Sequence, residues 1–308
     1  MLTSVSPTFL GQPEIAIDDI RSGDLVILGV CEATPYTPGQ SSHSSNGPAA
    51  IRQAVAKYAK WTEHYDFDSG APVIEAGNRR IVDIGNLAGD ANEPEENRVA
   101  ITSVVMQILD AGATPVVIGG DDSVPIPVLA SFEKQAPFHL VQIDAHLDWR
   151  DERYGITEGW SSPMRRASEM AWVDGIVQAG LRGPGSARPQ DVSDAIDYGT
   201  TIITARDIHA HGIRAVAEAI PQGGRCFITI DCDGLDPSVI PAVLSQVPGG
   251  LTYWQVVELI QTLNARSEIV GVDLVELTPE RDINGLGALT AGRIICNLCS
   301  ELSKATQS

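Results

Sequence analysis

Short apolar runs alternate with longer stretches of helical periodicity along almost the whole chain. The runs at 25–30, 81–84, 115–118, 140–143, 176–181, 201–204, 227–230 and 269–275 are rich in Val and Ile. They are continuous rather than alternating, and most end in Gly or Asp, as strands do in a parallel sheet covered on both faces. Between them, residues 48–61, 97–110, 252–264 and 287–303 carry helical patterns. This βαβα rhythm predicts an α/β fold, a three-layer αβα sandwich around a mainly parallel sheet of about eight strands. With no repeat, low-complexity tract or Pro/Ser linker, residues 1–308 read as one domain.

In open α/β sheets, ligands bind beyond the carboxyl ends of the strands, and there the pattern turns acidic. After 140–143 come Asp144, His146 and Asp148; 227–230 runs into Asp231 and Asp233; 115–118 is followed by Gly119, Gly120, Asp121, Asp122 and Ser123. Spacings of two put Asp144, His146 and Asp148 on one side of an extended backbone, and likewise Asp231 and Asp233. A single Asp at a strand exit is more often a turn or helix-cap residue. Several converging there repel one another unless a cation lies among them. A donor set of carboxylates with one imidazole suits Mn²⁺ or a similar ion, and shared carboxylates suit a pair of ions roughly 3.5–4 Å apart.

Charge agrees with that chemistry. The 308 residues hold 40 acidic and 21 basic side chains, a formal net charge of -19. Such a surface disfavours nucleic acid and anionic lipid and favours small cations and metals, although acid excess also serves solubility. Five cysteines without framework spacing argue against a disulfide scaffold and for a reducing compartment. No secretory signal or membrane span is visible, so a cytoplasmic location is expected.

Together these motifs resemble the ureohydrolase (arginase/agmatinase) family. Its Gly-Gly-Asp-His-Ser strand exit corresponds to 119–123, its Asp-Ala-His-x-Asp strand end to 144–148, and its Ser-x-Asp-x-Asp-x-x-Asp-Pro segment to 229–237. Further matches are Gly47, Pro48, Ile51 and Arg52; the run Pro248, Gly249, Gly250, Leu251 and Thr252; and Asp273, Leu274, Val275 and Glu276 with Pro279. The resemblance covers nearly the whole chain in order. It implies a three-layer αβα fold, often trimeric or hexameric, homo- or hetero-oligomeric, that hydrolyses a guanidino or amidino C–N bond and usually releases urea. It also implies two divalent metals bridged by Asp144 and Asp231. Asp148 and Asp122 would complete one shell, His146 and Asp233 the other. Glu276 matches the position facing the substrate guanidinium; in the mechanism that follows from these parts, Asp148 or a nearby acid supplies the proton to the leaving amine.

Three departures qualify the match. Asp122 stands where the family has His, which leaves the filled site more negative and opens the way to Ni²⁺. Trp160 replaces a His-bearing segment; it can stack on a guanidinium or biguanide, or simply pack. Residues 242–247 form an apolar segment instead of a Gly/Thr-rich loop. These changes favour a small or N-alkylated substrate over arginine or agmatine. A biguanide such as metformin, of a class that some members of the superfamily hydrolyse, would give guanylurea plus an amine. The alternative reading is a non-catalytic subunit assembled with an active paralogue. His43, in a polar loop, is expected near the pocket mouth as a substrate contact. His209 and His211 read as surface residues, Cys296 and Cys299 as core packing, and Gly183, Pro184, Gly185 and Ser186 as a turn without a phosphate-loop Lys.

Overall fold

The computed structural model describes residues 1–74, 79–185 and 187–304; Ser186 lies outside them. The strands are β1 (Leu2–Thr3), β2 (Leu25–Val30), β3 (Tyr65–Asp66), β4 (Ala71–Pro72), β5 (Ile81–Leu87), β6 (Thr114–Ile118), β7 (Phe138–Ile143), β8 (Val173–Ala179), β9 (Thr201–Ile203), β10 (Arg225–Asp231) and β11 (Glu268–Val275). The helices are α1 (Gly47–Val55), α2 (Pro94–Asp110), α3 (Pro125–Ala130), α4 (Pro163–Ala167), α5 (Pro189–Tyr198), α6 (Ala205–His211), α7 (Arg214–Glu218), α8 (Tyr253–Arg266) and α9 (Leu286–Ser303). One nine-stranded sheet runs in the order β1-β5-β2-β6-β11-β10-β7-β8-β9. All its pairings are parallel except that of β1 with β5. Strands β3 and β4 form a separate hairpin.

Both faces of the sheet are buried, so its central strands carry apolar residues at successive positions rather than alternate ones. Leu25, Ile27, Val116, Ile118, Ile228 and Ile230 turn to one side, against Ile51 and Val55 of α1, Leu259 and Leu263 of α8 and Ile294 and Leu298 of α9. Val26, Leu28, Val30 and Val117 turn to the other, against Ile101, Val105 and Ile108 of α2, Val128 of α3 and Met164 of α4. These are the three layers. Cys296 and Cys299 are fully buried within α9, where burial raises both thiols, Cys296 to about 12.

The first helical pattern divides into α1 and a 3₁₀ turn at Ala56–Lys60. Arg52, on α1, is buried against β5. Its Nε and Nη2 donate to the two carboxylate oxygens of Asp83 at 2.8 Å each, and Nη1 donates to Asn86 at 2.6 Å. That arginine ties a helix to the sheet, remote from the acidic strand ends. Helix α8 starts with a reciprocal cap, Thr252 Oγ1 accepting from Gln255 N at 3.2 Å and Gln255 Oε1 accepting from Thr252 N at 2.8 Å. Thr252→Ala is expected to cost about 1 kcal/mol, read as a lower urea midpoint with an unchanged slope.

Strands β6, β11, β10 and β7 are consecutive neighbours at the centre of the sheet. Their carboxyl ends open side by side, which brings segments more than 150 residues apart in sequence to a common floor.

Candidate metal centre

Neither acidic run continues as an extended strand. β7 ends at Ile143, where Asp144 Oδ1 accepts from the His146 backbone N–H at 2.6 Å and turns the chain. β10 ends at Asp231, whose Oδ1 accepts from Asp233 N, also at 2.6 Å, to open a 3₁₀ turn at Cys232–Gly234. The alternation expected from strand geometry is therefore replaced by two Asp-capped turns, because a short carboxylate reaches the N–H two residues on. The side chains converge all the same. Asp233 Oδ1 accepts from Ala145 N at 3.2 Å, which links the two strand ends.

Two groups of side chains place donor atoms within 4.8 Å of one another: Asp144, His146 and Asp233, and Asp122, Asp144 and Asp231. Asp144 belongs to both. Asp148 falls outside these groups but lines the same cleft, and its Oδ2 accepts from Gln142 Nε2 at 3.0 Å. Asp122, Asp144, Asp148, Asp231 and Asp233 are all buried. Both oxygens of Asp122 lack any hydrogen-bond partner among the described residues. Leaving a buried carboxylate unpaired is costly. Burial first, and neighbouring carboxylates second, push Asp122, Asp144 and Asp231 well above the usual carboxylate range, and burial raises Asp148. His146 Nδ1 lies 3.1 Å from Asp233 Oδ2 and 3.5 Å from Asp144 Oδ1. Burial opposes its charged form, yet bonding to Asp233 and the surrounding negative charge raise the imidazole to about 9. A cluster this acidic, with orphaned oxygens, fits divalent cations.

Glu276 follows β11 in a left-handed conformation (φ 66°), which few residues other than glycine adopt without strain. Its Oε1 accepts from Asp122 N at 2.9 Å and its Oε2 meets His43 Nε2 at 2.5 Å. Burial raises Glu276 while His43 lowers it. For His43, burial is outweighed by Glu276, so its pKa rises. His43 thus reaches the site, but through Glu276; it does not line the cleft. Trp160 does line it, with its ring centroid 4.1 Å from that of Tyr36 and 5.5 Å from that of His43.

The cleft has a volume of about 390 Å³, with Asp122, His146, Asp148, Asp231, Asp233 and Glu276 on its floor and Leu244, Ser245, Gln246 and Val247 along one wall. Gly185, which reads as a plain turn residue, also lines it; a side chain there would strike His146 at 2.9 Å. His209 and His211 are exposed and lie elsewhere on the surface, on α6. Sequence reasoning passed over Arg182 and Arg153. Arg182 Nη2 donates to the carbonyls of Asp233, Leu235 and Val247, tying the β10 turn to the wall. Arg153 lines the cleft, packs over Tyr36 and Tyr154, and has no carboxylate partner among the described residues. An Arg two residues after Gly180, which follows the end of β8, was the available signal for Arg182; Arg153 offered none.

The αβα fold with a buried acidic cluster at the central strand ends defines the class, that of metal-site hydrolases. Within it, residues 23–300 match the arginase family, and the chain belongs to that family. It is 33% identical over 264 residues to an N(1)-aminopropylagmatine ureohydrolase of Thermus thermophilus, covering 84% of this chain and 83% of the relative. Identity to the agmatinase of Pyrococcus horikoshii is 27% over 285 residues, covering 92% and 93%. The solved proclavaminate amidino hydrolase of Streptomyces clavuligerus superposes with a TM-score of 0.83 at 25% identity, covering 97% of this chain and 98% of that one. No helix among the described residues is long and apolar enough to cross a membrane.

Proposed function

We propose that this chain hydrolyses the C–N bond of a small guanidino compound whose far end carries no positive charge, an N-alkylated guanidine or a biguanide such as metformin. Two divalent ions, Mn²⁺ or Ni²⁺, would be held by Asp122, Asp144, His146, Asp148, Asp231 and Asp233. The observation that carries the metal reading is the pair of donor groups sharing Asp144, with both oxygens of Asp122 unpartnered. Bound there, the ions would supply Lewis acidity and lower the pKa of water at the cleft floor.

The protein's own groups do the rest. Glu276 orients the planar guanidinium by charge and hydrogen bonding, and Trp160 offers it a flat face. Asp148 delivers a proton to the departing amine nitrogen. Water adds across the bond, so a guanidine yields urea plus an amine, and a biguanide yields guanylurea plus an amine. Leu244 and Val247 give the outer cleft an apolar wall, and Arg153 repels a distal ammonium. Those two features favour a compact, singly charged substrate over agmatine, which is a dication.

The test is a panel of guanidine, methylguanidine, metformin, 4-guanidinobutyrate and agmatine on metal-loaded enzyme. Turnover of metformin or methylguanidine above agmatine supports the reading. Preference for agmatine contradicts it, and preference for the guanidino acid would show that Arg153 selects an anion. No turnover of any compound by protein that holds metal favours the alternative, a subunit working beside an active paralogue; Asp122 and Trp160, which depart from the family pattern, motivate that second reading.

Metal entry has a proton signature. His146, raised to about 9, holds a proton in the metal-free protein at pH 7, burial shifts Asp122, Asp144 and Asp231 in the same direction, and ligands must shed protons to bind. Calorimetric titration with Mn²⁺ in two buffers of different ionisation enthalpy is expected to show proton release. Affinity should strengthen as pH rises from 7 towards 9. Equal heats in both buffers would contradict this.

A further inference from the structure

Behind the acidic floor runs a buried chain of polar side chains that the hydrolytic scheme does not use. Trp149, Gln178 and Gln142 are each almost wholly excluded from solvent. Trp149 Nε1 donates to Gln178 Oε1 at 2.9 Å. Gln178 Nε2 donates to Gln142 Oε1 at 2.5 Å and to the Leu147 carbonyl at 2.9 Å. Gln142 Nε2 donates to Asp144 Oδ2 at 2.7 Å and to Asp148 Oδ2 at 3.0 Å.

The direction of this chain is forced. An indole nitrogen only donates and a backbone carbonyl only accepts. Trp149 therefore fixes the oxygen end of the Gln178 amide, and Leu147 fixes its nitrogen end. That leaves a donor facing Gln142, which must answer with its oxygen. Both remaining amide hydrogens of Gln142 then face carboxylates, and every donor and acceptor in the chain is used. A reversed Gln142 would set its carbonyl oxygen against two buried acids.

We propose that Trp149, Gln178 and Gln142 form a one-way relay in which Gln142 is a positioning residue, its single amide nitrogen clamping Asp144 and Asp148 into the spacing that binds metal. Each carboxylate has one oxygen fixed this way. Gln142 lies on β7 and Gln178 on the adjacent β8, in direct register, so the rigid sheet supports the clamp. Groups that orient metal ligands typically alter affinity by ten- to a hundredfold. The inference rests on the reading that Asp144 and Asp148 hold a divalent ion.

The test is calorimetric binding of Mn²⁺ and of Ni²⁺ to metal-stripped protein, with circular dichroism of the metal-free form as the check on folding. Gln178→Leu removes the donor that holds the Gln142 oxygen, so Gln142 is free to turn its carbonyl towards the carboxylates. Gln142→Leu removes the clamp without burying a charge. Both variants are expected to bind metal ten- to a hundredfold more weakly while the metal-free spectrum stays native. Affinity within threefold of the parent in folded variants would overturn the relay. Failure of both variants to fold without metal would also overturn it, by assigning the chain to core stability. A parent protein that binds no metal would instead sink the metal reading on which the relay depends.

Discussion

Asp144→Asn is expected to lower kcat/KM by about a thousandfold and to deplete both metal positions. Asp144 is the one side chain common to the two donor groups. Losing its charge therefore weakens both ions at once, where loss of Asp122 or Asp233 would weaken one. Metal-ion catalysis is worth several kcal/mol of transition-state stabilisation, and about 4 kcal/mol corresponds to a thousandfold in rate. The same change should not harm the metal-free fold. Asn retains an oxygen to accept from His146 N but turns its amide against the Gln142 N–H, a loss offset by the removal of one member of a self-repelling buried cluster. The metal-free thermal midpoint is thus expected to hold or rise, while the stabilisation that metal confers disappears. Activity within tenfold of the parent, or a collapsed metal-free fold, would contradict the role assigned to Asp144.

Glu276→Gln separates substrate binding from metal binding. The amide oxygen can still accept from Asp122 N, so the strand end keeps its shape. What is lost is the negative charge facing the cleft and the pairing with His43. A charge-assisted hydrogen bond to a guanidinium is worth about 1.5–3 kcal/mol, so kcat/KM should fall roughly a hundredfold with metal content unchanged. Loss of metal along with activity would move Glu276 from substrate orientation to support of the Asp122 segment.

Much of this is legible in the sequence. Continuous Val/Ile runs located the eight parallel strands because burial on both faces removes polar alternation, and the acidic ends of β7 and β10 marked the floor. The ninth strand, Leu2–Thr3, is too short to leave a pattern, and the short helices α3, α4, α6 and α7 hold too few turns to establish a period. The two-residue spacing of the aspartates reflects an Asp-capped turn in each run rather than strand alternation. Pairing between distant residues was out of reach: nothing local to Gln142 and Gln178 announces that a sheet sets them in register. Nor does the sequence show that His43 meets Glu276, 233 positions away. Arg52 illustrates the converse, a residue within a family-like motif whose place is a buried ion pair with Asp83.

The central claim is that five carboxylates and one histidine hold a pair of divalent ions despite Asp122 standing where an imidazole is usual. Metal content per chain, measured by plasma mass spectrometry on protein purified alone after growth with added Mn²⁺ and Ni²⁺, tests it most directly. Close to two ions per chain is the expected result and would make Asp122 a working ligand. Content near zero would contradict the account and turn attention to a second chain that supplies the activity.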